Sequence, residues 1–167
     1  MVRSQISDLL RNVFMHLYRN SLDHGIEAAD KRVAQAKPAA GTIALDLSLD
    51  KDRMWFKLHD DGRGLALDFI KKKAIENGVI SDTDNLSQQE IAQLIFAPGF
   101  STAEKVTEVS GRGVGMDAVK SFVEREGGTI ELVLQGTKAA NGFCPFQTVI
   151  SLPAKFAVQK LDNLQAA

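Results

Sequence analysis

Four polar residues near the N-terminus lie on one side of a predicted helix: His16, Asn20, Asp23 and, close to them, His24. At about 100° per residue, the first three fall on one narrow stripe that borders the apolar stripe of the same helix. Polar groups at the edge of a buried face need partners, because an unpaired one costs about 1–3 kcal/mol. A ligand with nitrogens, phosphates and a metal ion would supply those partners; an ordinary helix with satisfied polar residues is the alternative.

A first glycine loop, residues 60–64 with the sequence Asp-Asp-Gly-Arg-Gly, follows a predicted strand and precedes a helical segment. The carboxylate of Asp60, at the base of this loop, can accept a hydrogen bond from an exocyclic amine such as that of adenine. Gly62 and Gly64 let a ligand approach the backbone closely, because glycine has no β-carbon and tolerates positive φ. A plain Asp/Gly turn is the alternative interpretation.

A second glycine loop, residues 111–115 with the sequence Gly-Arg-Gly-Val-Gly, stands immediately before a predicted helix. Backbone N–H groups of such a loop, together with a helix N-terminus, form a site for phosphate. The chain has no G-x-x-x-x-G-K-[ST], and a dinucleotide fingerprint would need glycine where Met116 stands. Each loop alone is a weak signal, but both loops downstream of Asn20, in this order, indicate a nucleotide site.

The elements that must position these residues follow from hydrophobic periodicity. The spacing predicts helices over residues 6–25, 28–36, 68–77, 87–96 and 114–126, and strands over residues 43–49, 54–58, 130–134 and 147–152. Ser87 and Glu90 form a capping-box signal for the fourth helix, and residues 97–115 have the composition of a long loop. The pattern predicts an α/β fold, a two-layer sandwich in which a mixed, mostly antiparallel sheet packs on helices.

The composition suits one compact globular domain, since the 167 residues are 44% hydrophobic and 25% charged. We expect residues 1–155 to form that domain and residues 156–167 a tail or linker. A net charge of −1 argues against wholesale binding to nucleic acid or to a membrane surface, and the apolar runs are too short for a membrane span. Cys144 is the sole cysteine, so no internal disulfide is possible and a reducing cytoplasm is the expected location.

Four segments together resemble the ATP-binding domain of histidine kinases in the GHKL superfamily, in its chemotaxis-type, CheA-like form. Residues 16–27 resemble the N box, with His16 where other sensor kinases carry Glu, and residues 60–64 resemble the G1 box. Residues 96–102 resemble the F box, and residues 110–117 resemble the G2 box. The match runs from about residue 16 to residue 153, and it implies the Bergerat fold.

The resemblance implies a role for each polar residue of the first helix. Asn20 would coordinate Mg²⁺ that bridges the phosphates of ATP. His16 would sit near the γ-phosphate as a base or an orienting group, and Asp23 and His24 would also face the nucleotide.

The resemblance further implies that Asp60 bonds the adenine amine, while Gly62 and Gly64 allow the purine to approach. Residues from about 96 to 113 would form the ATP lid. The implied nucleotide contacts from the lid and the start of the next helix are Ser101, Thr102, Gly111, Arg112, Gly113, Val114, Gly115 and Met116. One departure concerns the last strand, where the family often has Gly-Thr near the adenine. This chain has Pro145 and Phe146 there, with Thr148 two places later.

A domain of this family would transfer the γ-phosphate of Mg-ATP to a histidine on a separate histidine-phosphotransfer domain, and so act indirectly on a response regulator. No nucleic acid or direct membrane insertion is expected. Two rival functions stay open: a conformational ATPase of the same superfamily, and a nucleotide-binding module with little activity. Conformational ATPases usually carry Glu as a water-activating base in the N box, and His16 in that place argues against them.

Overall fold

The computed structural model describes residues 4–98, 100 and 115–157. Its helices are α1 (Ser4–Asn20), α2 (Ala29–Ala34), α3 (Leu67–Glu76), α4 (Gln88–Gln93) and α5 (Met116–Arg125). Its strands are β1 (Ile43–Leu49), β2 (Arg53–Asp60), β3 (Leu65–Ala66), β4 (Thr129–Leu134), β5 (Phe143–Cys144) and β6 (Phe146–Pro153). Short 3₁₀ turns follow α4 at Leu94–Phe96 and β6 at Ala154–Phe156.

The main sheet has four strands in the order β1-β2-β6-β4, and each neighbouring pair is antiparallel. The predicted hairpin is confirmed, because Leu47 on β1 lies opposite Phe56 on β2. A second sheet of two short strands, β3 and β5, pairs Leu65 with Cys144. This small sheet has no signature in the sequence, because two-residue strands are too short to show alternation.

The helices pack on one face of the main sheet, which confirms the predicted two-layer α/β sandwich. The apolar stripe of α1 supplies Ile6, Leu10, Val13 and Leu17 to the core, and the sheet supplies Phe56, Leu58, Leu132, Ile150 and Leu152. The ring of Phe14 lies 5.5 Å from that of Phe56, centroid to centroid. Burial of such a face stabilises the fold by roughly 25 cal/mol per Å² of apolar surface removed from water. Among the described residues no helix is both long and apolar enough to cross a membrane.

Helix α4 covers the outer edge of β4. It begins with the predicted capping box, in which Ser87 and Glu90 exchange side-chain and backbone hydrogen bonds. The side-chain amides of Gln89 and Gln93 both donate to the Leu132 carbonyl of β4. This contact satisfies backbone groups at an edge strand that would otherwise be open to pairing.

The opposite edge strand, β1, departs from the expected half-buried strand. Its residues are mostly exposed, with Leu47 65% exposed, although Leu47 pairs with the buried Phe56. The alternation of apolar residues predicted the strand correctly. It did not predict that the strand lies at an edge of the sheet, where its side chains are mostly exposed.

The end of the first helix also differs from the expected single helix over residues 6–25. Regular α-helix stops at Asn20, and Ser21–Gly25 form a π-helical turn. The N–H of Ile26 donates to the carbonyl of Ser21 at 2.7 Å. This hydrogen bond spans five residues instead of four, which defines a π-helical turn. Extra residues in such a turn rotate the following side chains relative to a regular helix.

Candidate functional site

A cavity of about 570 Å³ lies between the end of α1, the sheet, the β3–β5 pair and the start of α5. Eight of the residues singled out from the sequence line it: His16, Asn20, Asp23, His24, Asp60, Gly64, Gly115 and Met116. Segments far apart in the chain therefore meet around one space. Gly62, from the same prediction, is not among the lining residues.

The polar end of the cavity is built by α1 and the π-helical turn. His16 and Asn20 are half-buried on the last turns of α1, while Asp23 and His24 are exposed on the π-helical turn. Ser21, which was not among the candidates from the sequence, is buried at the same wall. The cavity thus has sheltered polar groups at its base and ionisable groups at its rim.

Asn20 and the start of α5 meet at this end. The amide nitrogen of Asn20 donates to Sδ of Met116 at 3.5 Å. Within the part of the chain described, Oδ1 of Asn20 has no hydrogen-bond partner, so it remains available to a cation. The first N–H groups of α5 lack intrahelical partners, and Gly115 and Met116 place them beside the cavity. Such a helix N-terminus suits an anion.

The electrostatic environment of His16 favours its neutral form. Burial lowers the pKa of His16 below its ordinary value of 6.5, and the nearby charge of Arg19 lowers it further. A neutral imidazole can accept a proton or a hydrogen bond, whereas a charged one can only donate. At neutral pH, His16 is therefore ready to act as an acceptor.

Gly62 fixes the first glycine loop against the end of the π-helical turn. The N–H of Gly62 donates to Oδ1 of Asp60 at 3.0 Å, and the N–H of Arg63 donates to the carbonyl of Gly25 at 2.9 Å. A β-carbon on Gly62 would lie 2.3 Å from that Gly25 carbonyl oxygen. Only glycine permits this approach of the two backbones, and the approach brings Asp60 to the cavity wall.

Gly64 has a similar constraint on the other side of the loop. Its φ is +87°, and a β-carbon there would lie 2.5 Å from the carbonyl oxygen of Cys144 on β5. The loop therefore passes close to β5 where β3 begins. Cys144 itself is fully buried, and burial raises the pKa of its thiol.

An ion-pair network centred on the buried side chains of Arg32 and Glu27 supports the loop from behind. Arg32 on α2 is fully buried; its guanidinium contacts Oδ2 of Asp61 at 2.9 Å and Oε2 of Glu27 at 3.3 Å. Lys37 also contacts Glu27, at 2.9 Å, and donates to the Gly62 carbonyl at 2.9 Å. Because Asp61 follows Asp60 directly, this network holds the base of the loop in place.

The two carboxylates of this network are held in their charged form. The pKa of Asp61 is lowered chiefly by the hydrogen bond from the Thr42 N–H. Burial opposes this effect, and the hydrogen bond and charge of Arg32 then lower the pKa further. Burial acts to raise the pKa of Glu27, but Lys37 and Arg32, with a backbone hydrogen bond, bring it below its ordinary value. Neither residue was singled out from the sequence, because their partners lie on separate segments.

The other end of the cavity is mainly apolar, and of its wall residues only Phe146 and Thr148 were named from the sequence. The wall beside Asp60 consists of Leu65, Phe69, Ile70, Phe143, Phe146 and Thr148. Alternation along β6 was a signal for two of them, since Phe146 and Thr148 must share one face of that strand. An apolar slot with a carboxylate at its edge suits a flat heteroaromatic ring that bears an amine.

Several residues expected at this site lie outside the described part of the chain: Ser101, Thr102, Gly111, Arg112, Gly113 and Val114. The same holds for most of the expected lid over residues 96–113. Phe100, which is described, is buried and lines the cavity.

The cavity fits a magnesium ion held mostly by phosphates. In the described ranges no cluster of three or more His, Cys, Asp or Glu side chains could hold a metal by itself. The amide oxygen of Asn20, which has no partner among the described residues, could serve as one oxygen ligand, since Mg²⁺ usually combines few protein oxygens with phosphates and water.

Comparison with known proteins gives a consistent assignment. Residues 5–154 match the family of histidine kinase-, DNA gyrase B-, and HSP90-like ATPases. The chain is 44% identical to chemotaxis protein CheA of Treponema pallidum over 156 residues, which are 93% of this chain and 18% of that protein. It is 42% identical to CheA of Rhizobium meliloti over 163 residues, which are 98% of this chain and 20% of that protein.

A third relative is the sensor histidine kinase CheAY of Helicobacter pylori, 48% identical over 120 residues, which are 71% of this chain and 15% of that protein. The chain thus spans a fifth or less of the length of these relatives. The family match covers nearly the whole of the described fold, and the cavity has the polar and apolar ends that a nucleotide requires. The chain therefore belongs to the family of histidine kinase-, DNA gyrase B- and HSP90-like ATPases, as an ATP-binding domain of the CheA-like kind.

Proposed function

We propose that this chain binds Mg-ATP and transfers its γ-phosphate to a histidine on a separate histidine-phosphotransfer domain, in the cytoplasm. A response regulator would then receive the phosphoryl group from that domain. One observation carries the proposal: His16, Asn20 and the N-terminus of α5 converge at one end of a cavity whose other end carries Asp60. This arrangement has the polarity of a nucleotide, with phosphates at one end and a base at the other.

The base of ATP occupies the apolar end in this proposal. Oδ1 of Asp60 already accepts from Gly62, so Oδ2 is the oxygen that accepts from the adenine amine. The side chains of Phe143 and Phe146 then cover the ring. Guanine presents a carbonyl oxygen where adenine has its amine, so the carboxylate selects adenine.

The phosphates occupy the polar end. The N–H groups at the start of α5 bind phosphate oxygens, and Oδ1 of Asn20 is the protein ligand for Mg²⁺. When bound, Mg²⁺ supplies charge neutralisation for the β- and γ-phosphates. Phosphoryl transfer depends mainly on positioning and charge neutralisation, so few reactive side chains are needed.

The nucleophile comes from outside the chain in this proposal. An imidazole nitrogen of the acceptor domain forms the new bond to Pγ while the bond from Pγ to the bridging oxygen breaks, and ADP leaves. His16, which is neutral at pH 7, orients the incoming imidazole or accepts its proton.

Two rival functions predict different behaviour. A conformational ATPase would hydrolyse ATP steadily without an acceptor, and an inactive nucleotide-binding module would consume none under any condition. We expect slow ATP consumption by this chain alone and a rise of at least about tenfold in initial rate when a cognate histidine-phosphotransfer domain is added. Fast consumption that the added domain does not change would favour the conformational ATPase.

A further inference from the structure

Lys37 contacts the first glycine loop from outside the cavity. Its Nζ donates to the carbonyl of Asp61 at 3.0 Å and to the carbonyl of Gly62 at 2.9 Å. A third hydrogen bond, of 2.9 Å, goes to Oε1 of Glu27. An ammonium group has three N–H donors, so each donor of Lys37 has an acceptor. The side chain is 30% exposed and is not among those that line the cavity, so it acts on a bound ligand only through the loop.

The two carbonyls that Lys37 holds fix the direction of two N–H groups. The carbonyl of Asp61 and the N–H of Gly62 belong to one trans peptide plane, in which they point in opposite directions. Because Lys37 holds that carbonyl on one side, the N–H of Gly62 points to the other side, where it donates to Oδ1 of Asp60 at 3.0 Å. The next peptide plane is held in the same way, with the Gly62 carbonyl on Lys37 and the Arg63 N–H on the π-helical turn. The ammonium group thus sets the orientation of both planes.

The carboxylate of Asp60 is oriented by the hydrogen bond from Gly62. That N–H occupies Oδ1, and Oδ2 is the oxygen that the proposed function assigns to the adenine amine. The same carboxylate lies against Gly25, where a β-carbon would come within 3.0 Å of Oδ2. A carboxylate already held in its bound orientation loses little freedom when a ligand arrives, and this preorganisation strengthens binding.

The end of α2 brings Lys37 to this place. The N–H of Lys37 donates to the carbonyl of Arg32 at 2.9 Å, and the N–H of Ala36 donates to the carbonyl of Val33 at 3.0 Å. These two bonds form a Schellman motif, in which Ala36 takes the left-handed conformation at φ +58°. This conformation is uncommon for a residue other than glycine. The chain reversal puts the Lys37 side chain next to that of Arg32, so that both contact Glu27.

Arg32 and Lys37 hold different parts of the loop. Arg32 is fully buried and contacts Oδ2 and the carbonyl of Asp61, as well as two further backbone carbonyls. Those contacts do not depend on Lys37, so the loop stays attached to α2 when Lys37 is replaced. The carbonyl of Gly62, in contrast, is held by Lys37. We therefore expect a Lys37 variant to fold and to lose the fixed orientation of the Gly62 peptide planes.

We propose that Lys37 is a positioning residue for recognition of the base: through the Gly62 N–H it holds the carboxylate of Asp60 in the orientation that accepts from the adenine amine. The inference rests on the proposed function, in which Asp60 is that acceptor. Because Lys37 acts through this carboxylate, its contribution applies to a base that carries the amine and is lost for a base that lacks it.

The test compares ATP with purine riboside triphosphate, which has the same rings and phosphates but a hydrogen in place of the amine. Calorimetry with Mg²⁺ measures the affinity of both for the unmodified chain, Lys37→Met and Lys37→Arg. We expect Lys37→Met to bind ATP roughly three- to tenfold more weakly, and to bind the analogue within about twofold of the unmodified chain. Arginine keeps charged N–H donors for the two carbonyls, so Lys37→Arg should bind both within about twofold of the unmodified chain. Lys31→Met, at an exposed position on α2, is the matched control and should leave both affinities unchanged.

Hydrogen exchange gives a second measurement that needs no nucleotide. The Gly62 N–H should exchange at least about tenfold faster in Lys37→Met than in Lys31→Met, because its hydrogen bond to Asp60 is weakened. Unchanged exchange, unchanged ATP affinity in Lys37→Met, or an equal loss for ATP and the analogue would overturn the assignment of Lys37 and leave the proposed function standing. An unmodified chain that binds ATP no more tightly than the analogue would remove the acceptor role of Asp60, and one that binds neither would overturn the proposed function.

Discussion

The amide nitrogen of Asn20 and Sδ of Met116 lie 3.5 Å apart, although 96 positions separate the two residues in the chain. The contact joins the end of α1 to the first residue of α5. Among the residues that the structure describes, the amide oxygen of the same side chain has no hydrogen-bond partner. One side chain therefore links two structural elements and offers a ligand oxygen at the same place.

Asn20→Ala removes that oxygen. We expect Mg-dependent affinity for ATP to fall at least tenfold, or about 1.4 kcal/mol, because the variant lacks the oxygen that we propose as the protein ligand of Mg²⁺. Calorimetry measures the affinity for ATP in the presence of Mg²⁺ and in the presence of EDTA. In the variant, these two affinities should be nearly equal. Asn12→Ala is the matched control, since Asn12 is exposed elsewhere on α1. If Asn20→Ala and Asn12→Ala bind Mg-ATP equally well, Asn20 is not the metal ligand.

Asp60→Asn replaces the acceptor for the adenine amine with an amide that can also donate. We expect ATP affinity to fall about tenfold, because a hydrogen bond to a charged acceptor contributes about 1.5–3 kcal/mol. The unmodified chain should prefer ATP to GTP, and the variant should lose that preference. Competition against a fluorescent ATP analogue gives both affinities, and Asp82→Asn provides an exposed control. Equal binding of ATP and GTP by the unmodified chain would remove this role for Asp60.

The pKa of His16 should respond to Arg19. Burial and the charge of Arg19 both lower that pKa, so Arg19→Gln should raise it towards the ordinary value while the effect of burial remains. Since the neutral imidazole is the acceptor, the phosphotransfer rate should fall as pH drops through this pKa, and the fall should begin at higher pH in Arg19→Gln. NMR titration of the His16 ring gives the pKa directly. Arg11→Gln, also on α1, should leave it unchanged; an unshifted pKa in Arg19→Gln would contradict the assigned cause.

The buried network around Arg32 should dominate the stability of the first glycine loop. Arg32→Met removes the buried partner of Glu27, which keeps only its contact with Lys37, and removing one member of a buried pair costs about 3–5 kcal/mol. Urea unfolding monitored by circular dichroism gives the free energy of unfolding. Arg11→Met removes an exposed ion pair with Asp8 and should change the free energy of unfolding by less than about 0.5 kcal/mol. A small effect of Arg32→Met, close to that of Arg11→Met, would show that the network is dispensable.

Local sequence patterns predicted much of this fold. The capping box at Ser87 and the β1–β2 hairpin depend on neighbouring residues, and both are confirmed. The polar stripe of α1 also follows from local spacing, and His16 and Asn20 do line one cavity. These features need no knowledge of distant contacts.

Features that depend on distant segments could not be predicted in the same way. Arg32 can be buried because it pairs with Asp61, 29 positions away in the chain. The charge of an arginine side chain alone would predict a position on the surface. The π-helical turn after Asn20 has no periodic signature, and the β3–β5 pair is too short to show one.

The most direct measurement uses γ-labelled ATP with Mg²⁺, this chain and a cognate histidine-phosphotransfer domain. We expect acid-labile, base-stable label on the added domain and none on this chain. Its three histidines, His16 on α1, His24 on the π-helical turn and His59 on β2, all line the cavity itself. The label should disappear with Asn20→Ala and persist with Asn12→Ala. Stable label mapped to a histidine of this chain, or no label on any cognate domain while ATP binds normally, would contradict the proposed transfer.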